Sequence, residues 1–215
     1  MGKIFVITGP TCAGKDYIFS KILEDMKDKH TKSQIRNLER VVRFTNRKCR
    51  ENEEDDIDYH FRTLKEMEDL IYSDFFVEYS SFKKFGEDGS YDTTIYGTSF
   101  DSIADPDKNY IMIGSLEVYR DLKEILPEGT VFPIMITAND RRRLRRYLDR
   151  NKDDSAYEIC RRILDDQKKY NKEDLEALGI NDNNTFYNNA ENSDAYFDYL
   201  MEGIYDYICY SIEGK

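Results

Sequence analysis

Paired cysteines and long apolar runs are both missing from this sequence. Its four cysteines, at positions 12, 49, 160 and 209, are far apart and form no C-x-x-C pair. Such cysteines are typical of free thiols in a reducing compartment. The apolar stretch at 3–8 is too short for a signal-peptide core or a membrane span, and no later stretch approaches transmembrane length. We therefore expect a cytoplasmic protein with no membrane partner.

An excess of positive charge is also missing. The chain has 32 Lys and Arg against 43 Asp and Glu, a net charge of -11. Because nothing global attracts a phosphate backbone, we expect no nucleic-acid partner. A small anionic substrate would need a locally basic site, and Arg and Lys do cluster at 43–50 and 141–150.

The stretch GPTCAGKD at 9–16 matches the phosphate-loop pattern G-x-x-x-x-G-K. An apolar strand precedes it and a helical stripe follows it, which is the order that such a loop requires. The glycines let backbone N–H groups surround an anion, and the helix N-terminus adds positive charge. The pattern predicts an ATP site formed by Gly9, Pro10, Thr11, Cys12, Ala13, Gly14, Lys15 and Asp16, with Lys15 on the β- and γ-phosphates.

Asp16 stands where the pattern has Ser or Thr. A carboxylate is a good hard ligand for Mg²⁺, so we predict that Asp16 binds the metal that accompanies ATP. The alternative is that Asp16 is only a first-turn acid, which the helix dipole favours.

Strand-like and helical stretches alternate along the chain. The strands are predicted at 3–8, 41–44, 75–82, 110–113, 131–137 and 185–189, and the helices at 15–26, 64–71, 115–126, 139–170 and 194–210. This alternation predicts an α/β protein with a parallel sheet between layers of helices.

The segment RFTNRKCRENEEDDIDYHF at 43–61 resembles the guanylate kinase pattern T-T-R-x-x-R-x-G-E-x-x-G-x-D-Y-x-F. The matching positions are Thr45, Arg47, Arg50, Glu53, Asp58, Tyr59 and Phe61. With the phosphate loop, and with Glu78 and the Tyr96-Gly97-Thr98 stretch, the resemblance to the guanylate kinase family extends over essentially the whole chain.

The resemblance implies a single domain, 1–215, with the three-layer α/β/α fold of P-loop proteins and a parallel core sheet. Its core would be 1–42, 100–140 and 171–215, with a small GMP-binding subdomain at 43–99 and a helical lid at 141–170. The implied activity is Mg²⁺-dependent transfer of the ATP γ-phosphoryl group to GMP, giving GDP and ADP, by a monomer or a homodimer.

The resemblance also implies an acceptor site. Arg47, Arg50, Tyr59 and Tyr96 would hold the GMP phosphate, which suits the forked donors of arginine and the tyrosine hydroxyls. Glu78 and Thr98 would recognise guanine, because a carboxylate can accept hydrogen bonds from both the ring N–H and the amino group of that base. Arg43, where the family usually has a small hydroxyl residue, would add a cation to this GMP-binding set. Alternatively, Arg47 and Arg50 are ordinary partners of the acids at 51–56.

Arg146 and Arg150 share one helix face, and Arg162 follows a polar connection, as in the family's R-x-x-x-R…R lid. The resemblance assigns these arginines, with Lys15, to catalysis at the ATP phosphates. The alternative is a solvated helix whose arginines pair with nearby acids, which we expect for residues 141–143. Asn188 matches a late position of the family near the adenine of ATP.

The chain departs from the family at Met112 and Gly114, where guanylate kinases usually have Asp. Asp16 and the Gly114-Ser115 pair also resemble ribose 1,5-bisphosphate phosphokinases, which lack the R-x-x-R…D-Y-x-F set. The alternatives are therefore a related kinase with another acceptor and an inactive guanylate kinase-like binding module.

Overall fold

The computed structural model describes residues 2–51, 53–85, 91–150, 156–189 and 194–214. The strands are β1 (Ile4–Thr8), β2 (Leu38–Arg40), β3 (Arg43–Thr45), β4 (Tyr59–Phe61), β5 (Phe76–Phe85), β6 (Tyr91–Ser99), β7 (Asn109–Ile113), β8 (Val131–Thr137) and β9 (Thr185–Tyr187). The helices are α1 (Lys15–Asp25), α2 (Ser33–Arg36), α3 (Leu64–Tyr72), α4 (Leu116–Ile125), α5 (Asp140–Arg150), α6 (Ala156–Lys169), α7 (Lys172–Ala177) and α8 (Asp194–Glu213), with a 3₁₀ turn at Asp101–Ile103.

The larger sheet has the order β2-β7-β1-β8-β9, and its paired strands are parallel. Every residue of β1 is buried, as expected for a central strand covered on both faces. Phe5 and Ile7 pack toward α1 and α8, whereas Ile4 and Val6 pack toward α4. The predicted α/β fold with a parallel core sheet is therefore confirmed.

The smaller sheet has the order β4-β3-β6-β5, with β6 antiparallel to both β3 and β5. Met67 of α3 packs with Phe76 and Ile95 beneath this sheet. Thr63 and Glu66 form a capping box at the start of α3, so two backbone N–H groups of its first turn are satisfied. These elements all lie in the range predicted for the acceptor subdomain.

The predicted strand at 41–44 is wrong as a single element. β2 ends at Arg40 in the core sheet, and β3 begins at Arg43 in the smaller sheet. Val41 lies between them and still donates its N–H to Ile111 O at 3.0 Å. Only 43–44 of the predicted strand therefore lie in a strand, and 41–42 form the crossing between the two sheets, which periodicity alone cannot distinguish from one strand.

Two further features concern the described residues as a set. In the described part, no helix is both long enough and apolar enough to cross a membrane. No disulfide joins the cysteines among these residues.

Candidate active site

The phosphate loop connects β1 to α1 and requires glycine at two positions. Gly9 has φ 143° and Gly14 has φ 98°, in the region that favours glycine. A Cβ on Gly9 would lie 1.9 Å from Ile136 O, and one on Gly14 would lie 2.2 Å from Asn188 Nδ2. The loop therefore packs too closely on β8 and on the segment after β9 to accept side chains there.

Lys15 and Asp16 begin α1 directly behind the loop. Lys15 Nζ donates to Gly9 O at 2.7 Å and to Pro10 O at 3.0 Å, and burial lowers the pKa of its ammonium group. Asp16 is exposed in the first helical turn and faces the same cleft. A cation and a carboxylate thus lie side by side at the mouth of the loop.

A buried ion pair from the predicted lid holds the loop. Asp166 of α6 accepts a hydrogen bond from Thr11 N at 2.8 Å and another from Arg143 of α5. Arg143 Nε donates to Thr11 O at 2.8 Å, so both polar groups of the Thr11 backbone have side-chain partners. Arg143 is only 4% exposed and also bonds Asp140 at 2.8 Å. It pairs with acids as expected, but it is buried rather than solvated.

Of the residues predicted for the lid and for adenine, Arg146 and Asn188 contact the phosphate loop, whereas Arg162 contacts Tyr147. Arg146 donates to Ala13 O at 3.1 Å and to Asn188 O at 3.0 Å, and burial lowers its pKa. Asn188 Nδ2 donates to Ala13 O at 2.9 Å, so both residues contact the loop. Arg162 instead lies 5.9 Å from the centre of the Tyr147 ring and is not among the described lining residues of the cleft. The Arg150 side chain lies outside the described residues.

Arg47 is held in a fixed orientation on the opposite side of the cleft. Its two terminal nitrogens donate to the two oxygens of Glu53, both at 2.6 Å, and its guanidinium lies 4.7 Å from the centre of the Tyr59 ring. Burial alone would lower the pKa of Arg47, but the Glu53 hydrogen bonds and the charges of Glu53, Tyr96 and Tyr59 together outweigh it, and the pKa is raised. Those hydrogen bonds lower the pKa of Glu53.

The other predicted phosphate ligands surround Arg47. Burial raises the pKa of Tyr59, and the Tyr59 and Tyr96 rings lie 5.9 Å apart, edge to face. Arg50 is two-thirds exposed, with a terminal nitrogen 3.8 Å from Glu53 Oε1. Arg47 therefore does pair with one of the acids at 51–56, as the alternative expected, and only the structure shows that this acid is Glu53 and that it holds both terminal nitrogens.

The predicted base-recognition residues form a buried group with Arg43. Arg43 donates to Glu78 Oε1 at 2.7 Å and to Thr98 Oγ1 at 3.0 Å, and Thr98 donates to the same Glu78 oxygen. All three residues are at most 7% exposed. Arg43 is therefore tied to the residues predicted for the base rather than free beside Arg47.

One cleft of about 1200 Å³ joins these groups. It is lined by Gly9, Gly14, Lys15, Asp16, Arg146 and Asn188 on the loop side, and by Arg43, Arg47, Arg50, Tyr59 and Tyr96 on the side of the smaller sheet. The lining residues outside the predicted set include Asp166, Lys169 and Tyr170, at the end of α6 and just after it. Tyr170 Oη donates to Gly9 O at 2.9 Å, a contact for which the sequence carries no signal.

The missing acids at 112 and 114 have a packing explanation. Met112 is 1% exposed within the core cluster beneath α4. A Cβ on Gly114 would lie 2.8 Å from Val6 Cγ1 and 2.9 Å from Val118 Cγ1. An Asp at Gly114 would therefore require the neighbouring valines to shift, and this end of β7 contributes no carboxylate from either position.

A phosphate loop between a central parallel strand and a helix places the chain in the P-loop class of nucleotide-binding proteins. A guanylate kinase family model matches residues 1–197. The guanylate kinase of Lactococcus lactis is 31% identical over 165 residues, which cover 75% of this chain and 71% of that protein. That of Enterococcus faecalis is 25% identical over 185 residues, covering 84% and 78%. The chain belongs to the guanylate kinase family.

Two further similarities define how far the resemblance extends. The guanylate kinase of Mycoplasma pneumoniae is 37% identical over 81 residues, but the match covers 38% of this chain and only 30% of that protein. A crystal structure of guanylate kinase from Anaplasma phagocytophilum matches 98% of this chain and 86% of its own, with a TM-score of 0.59 and 17% identity. That structure shows a shared fold.

Proposed function

We propose that the chain is a nucleoside monophosphate kinase that transfers the γ-phosphoryl group of ATP to GMP, giving ADP and GDP. The observation that carries the proposal is the shared cleft, in which the phosphate loop faces Arg47, Tyr59 and Tyr96. Phosphoryl transfer needs this arrangement, because catalysis consists mainly of holding two anionic groups in line and stabilising their charge. The names of the relatives support the same reaction.

On the donor side, Lys15 and the loop N–H groups would hold the ATP phosphates. Charged phosphate oxygens are stronger acceptors than the carbonyls that now hold Lys15 Nζ. Asp16 suits Mg²⁺, because its carboxylate is exposed in the cleft beside the loop. Mg²⁺ is commonly held by one or two carboxylates together with the substrate phosphates, and Asp16 would supply one such carboxylate. When bound, Mg²⁺ would neutralise charge on those phosphates.

On the acceptor side, Arg47, Tyr59 and Tyr96 would bind the GMP phosphate, and the exposed Arg50 would turn to it. The Glu53 carboxylate keeps the Arg47 guanidinium in place before substrate binds, which reduces the entropy lost on binding. The acceptor is already an anion and needs no general base. The same proposal includes a lid that carries Arg146, Arg150 and Arg162. It also treats the acceptor subdomain (43–99) and the lid (141–170) as separate moving parts.

The test is ADP formation from Mg-ATP with GMP, dGMP, AMP, UMP or a ribose phosphate as acceptor. GMP should support turnover, and Lys15→Ala should reduce it by about 10²–10³-fold or more. Lys172→Ala, which removes an exposed lysine of α7, is the matched control. Turnover only with a ribose phosphate would assign another acceptor. Absence of ATP binding, together with no effect of Lys15→Ala, would favour a binding module.

A further inference from the structure

Arg43 separates the cleft from the two residues predicted to recognise guanine. Arg43 lines the cleft, whereas Glu78 and Thr98 are not among its lining residues in the described structure. Glu78 is 4% exposed and Thr98 is fully buried. A base that enters this part of the cleft therefore meets Arg43 before it meets either residue.

The hydrogen bonds of this group leave Glu78 little capacity for a base. Glu78 Oε1 already accepts from both Arg43 and Thr98. Glu78 Oε2 is closed to solvent and has no hydrogen-bond partner among the described residues. If Arg43 moved aside to expose it, the buried carboxylate would lose its cation, which is strongly unfavourable. Glu78 is thus built to hold Arg43.

Arg43, in contrast, keeps donors for a ligand. The Arg43 Nε–H donates to Thr98, and one terminal N–H of Arg43 donates to Glu78. These two hydrogen bonds fix the plane of the guanidinium. Its remaining N–H groups form a rigid donor fork. Such a fork matches the O6 and N7 acceptors of guanine, the most common specific contact of arginine with a base.

We propose that Arg43 is the specificity-determining residue for the acceptor base and that it recognises the 6-oxo edge of a purine. Glu78 and Thr98 are positioning residues that act through Arg43. The inference rests on the proposed function, and it changes the predicted selectivity. In this proposal neither Arg43 nor the residues behind it bind the guanine 2-amino group, so IMP, which lacks that group, is also an acceptor. AMP is rejected because its 6-amino group is a hydrogen-bond donor and would face the N–H donors of Arg43.

The test compares kcat/KM for GMP, IMP and AMP with the wild-type protein at saturating Mg-ATP. GMP and IMP should differ by no more than about tenfold, the range of one neutral hydrogen bond. AMP should lie more than about tenfold below both, because buried polar groups would be left unpaired. A larger preference for GMP over IMP, or AMP within that range, overturns the inference and leaves the proposed function standing. Turnover with none of the three contradicts the proposed function itself.

Variants separate recognition by Arg43 from recognition by Glu78. Arg43→Ser exposes Glu78 to the cleft and should raise the preference for GMP over IMP to about 100-fold, as expected when a charged acceptor pairs with the guanine N–H groups. Arg120→Ser, which removes an exposed arginine of α4, should keep the wild-type ratio. An unchanged ratio in folded Arg43→Ser overturns the inference. If that variant does not fold, the wild-type ratio still decides.

Glu78→Gln tests the positioning role. It keeps an acceptor for Arg43 but removes the charge, so KM should rise by the same factor for GMP and IMP, with kcat unchanged. A loss confined to GMP would assign the recognition of the 2-amino group to Glu78 and would overturn the inference.

Discussion

Removal of the Asp166 carboxylate should destabilise the protein and loosen the phosphate loop. The Arg143 and Asp166 side chains are only 5% and 12% exposed, so Asp166→Ala leaves a buried guanidinium without its main partner. Loss of one partner of a buried pair typically costs about 3–5 kcal/mol, and the remaining Asp140 contact places the expected loss at about 3 kcal/mol. For a domain of this size, that corresponds to a Tm lower by roughly 6–12 °C.

Asp165→Ala is the matched control for this prediction. Asp165 is the neighbouring residue on α6, and its ion pair with Arg161 is about half exposed on both sides. Its removal should cost no more than about 0.5 kcal/mol. Urea unfolding of the two variants, followed by circular dichroism, measures the difference.

Asp166→Ala should also weaken ATP binding, because Thr11 N loses its acceptor and the loop is less fixed. In a double-mutant cycle with Arg143→Ala, the two losses should be non-additive by about 1 kcal/mol or more. If Asp166→Ala is as stable as Asp165→Ala, or if the losses add, the buried pair does not hold the loop as described.

Three further predictions concern the loop, the acceptor site and the metal. Gly14→Ala should abolish ATP binding, because the new Cβ would meet the Asn188 amide, whereas Gly129→Ala, at φ 73° with nothing within 4 Å, should keep it. The hydrogen bonds from Arg47 lower the pKa of Glu53, so the ionised Glu53 carboxylate stabilises the fold at pH values above the ordinary Glu pKa. That stability is lost as the pH falls through the lowered pKa. Glu53→Gln should therefore flatten the acid side of a plot of urea midpoint against pH. EDTA should abolish ADP formation, and excess Mg²⁺ should restore it.

Each of these predictions has a contradicting outcome. Tight ATP binding by Gly14→Ala in a binding titration would show that the loop can move away from Asn188. An acid profile unchanged by Glu53→Gln would mean that the Arg47 pair does not persist in solution. Full activity in EDTA would exclude the proposed metal requirement.

The phosphate loop could be predicted because its information is local. The apolar strand, the two glycines and the helical stripe all lie within 3–26, and each constrains its own backbone. The parallel sheet could be predicted as well, because each strand and helix in the alternating order has its own local pattern. Local patterns failed at 41–44, where one apolar run passes from one sheet to the other.

The contacts between distant residues could not be predicted. Arg43, Glu78 and Thr98 meet because β6 pairs with both β3 and β5, with Glu78 in register with Thr98. Asp166 reaches Thr11 across 155 positions of the chain. Pattern matching predicted that Glu78 and Thr98 recognise guanine, but their hydrogen bonds with Arg43 depend on the assembled sheet.

Phosphorus NMR of the protein with Mg-ATP and GMP tests the central proposal most directly, because it identifies where the transferred group goes. The shared cleft predicts that the ATP γ-phosphate signal declines while the β-phosphate signals of GDP and ADP grow in equal amounts, with little inorganic phosphate. An unchanged ATP spectrum, or growth of inorganic phosphate without GDP, would contradict phosphoryl transfer to GMP.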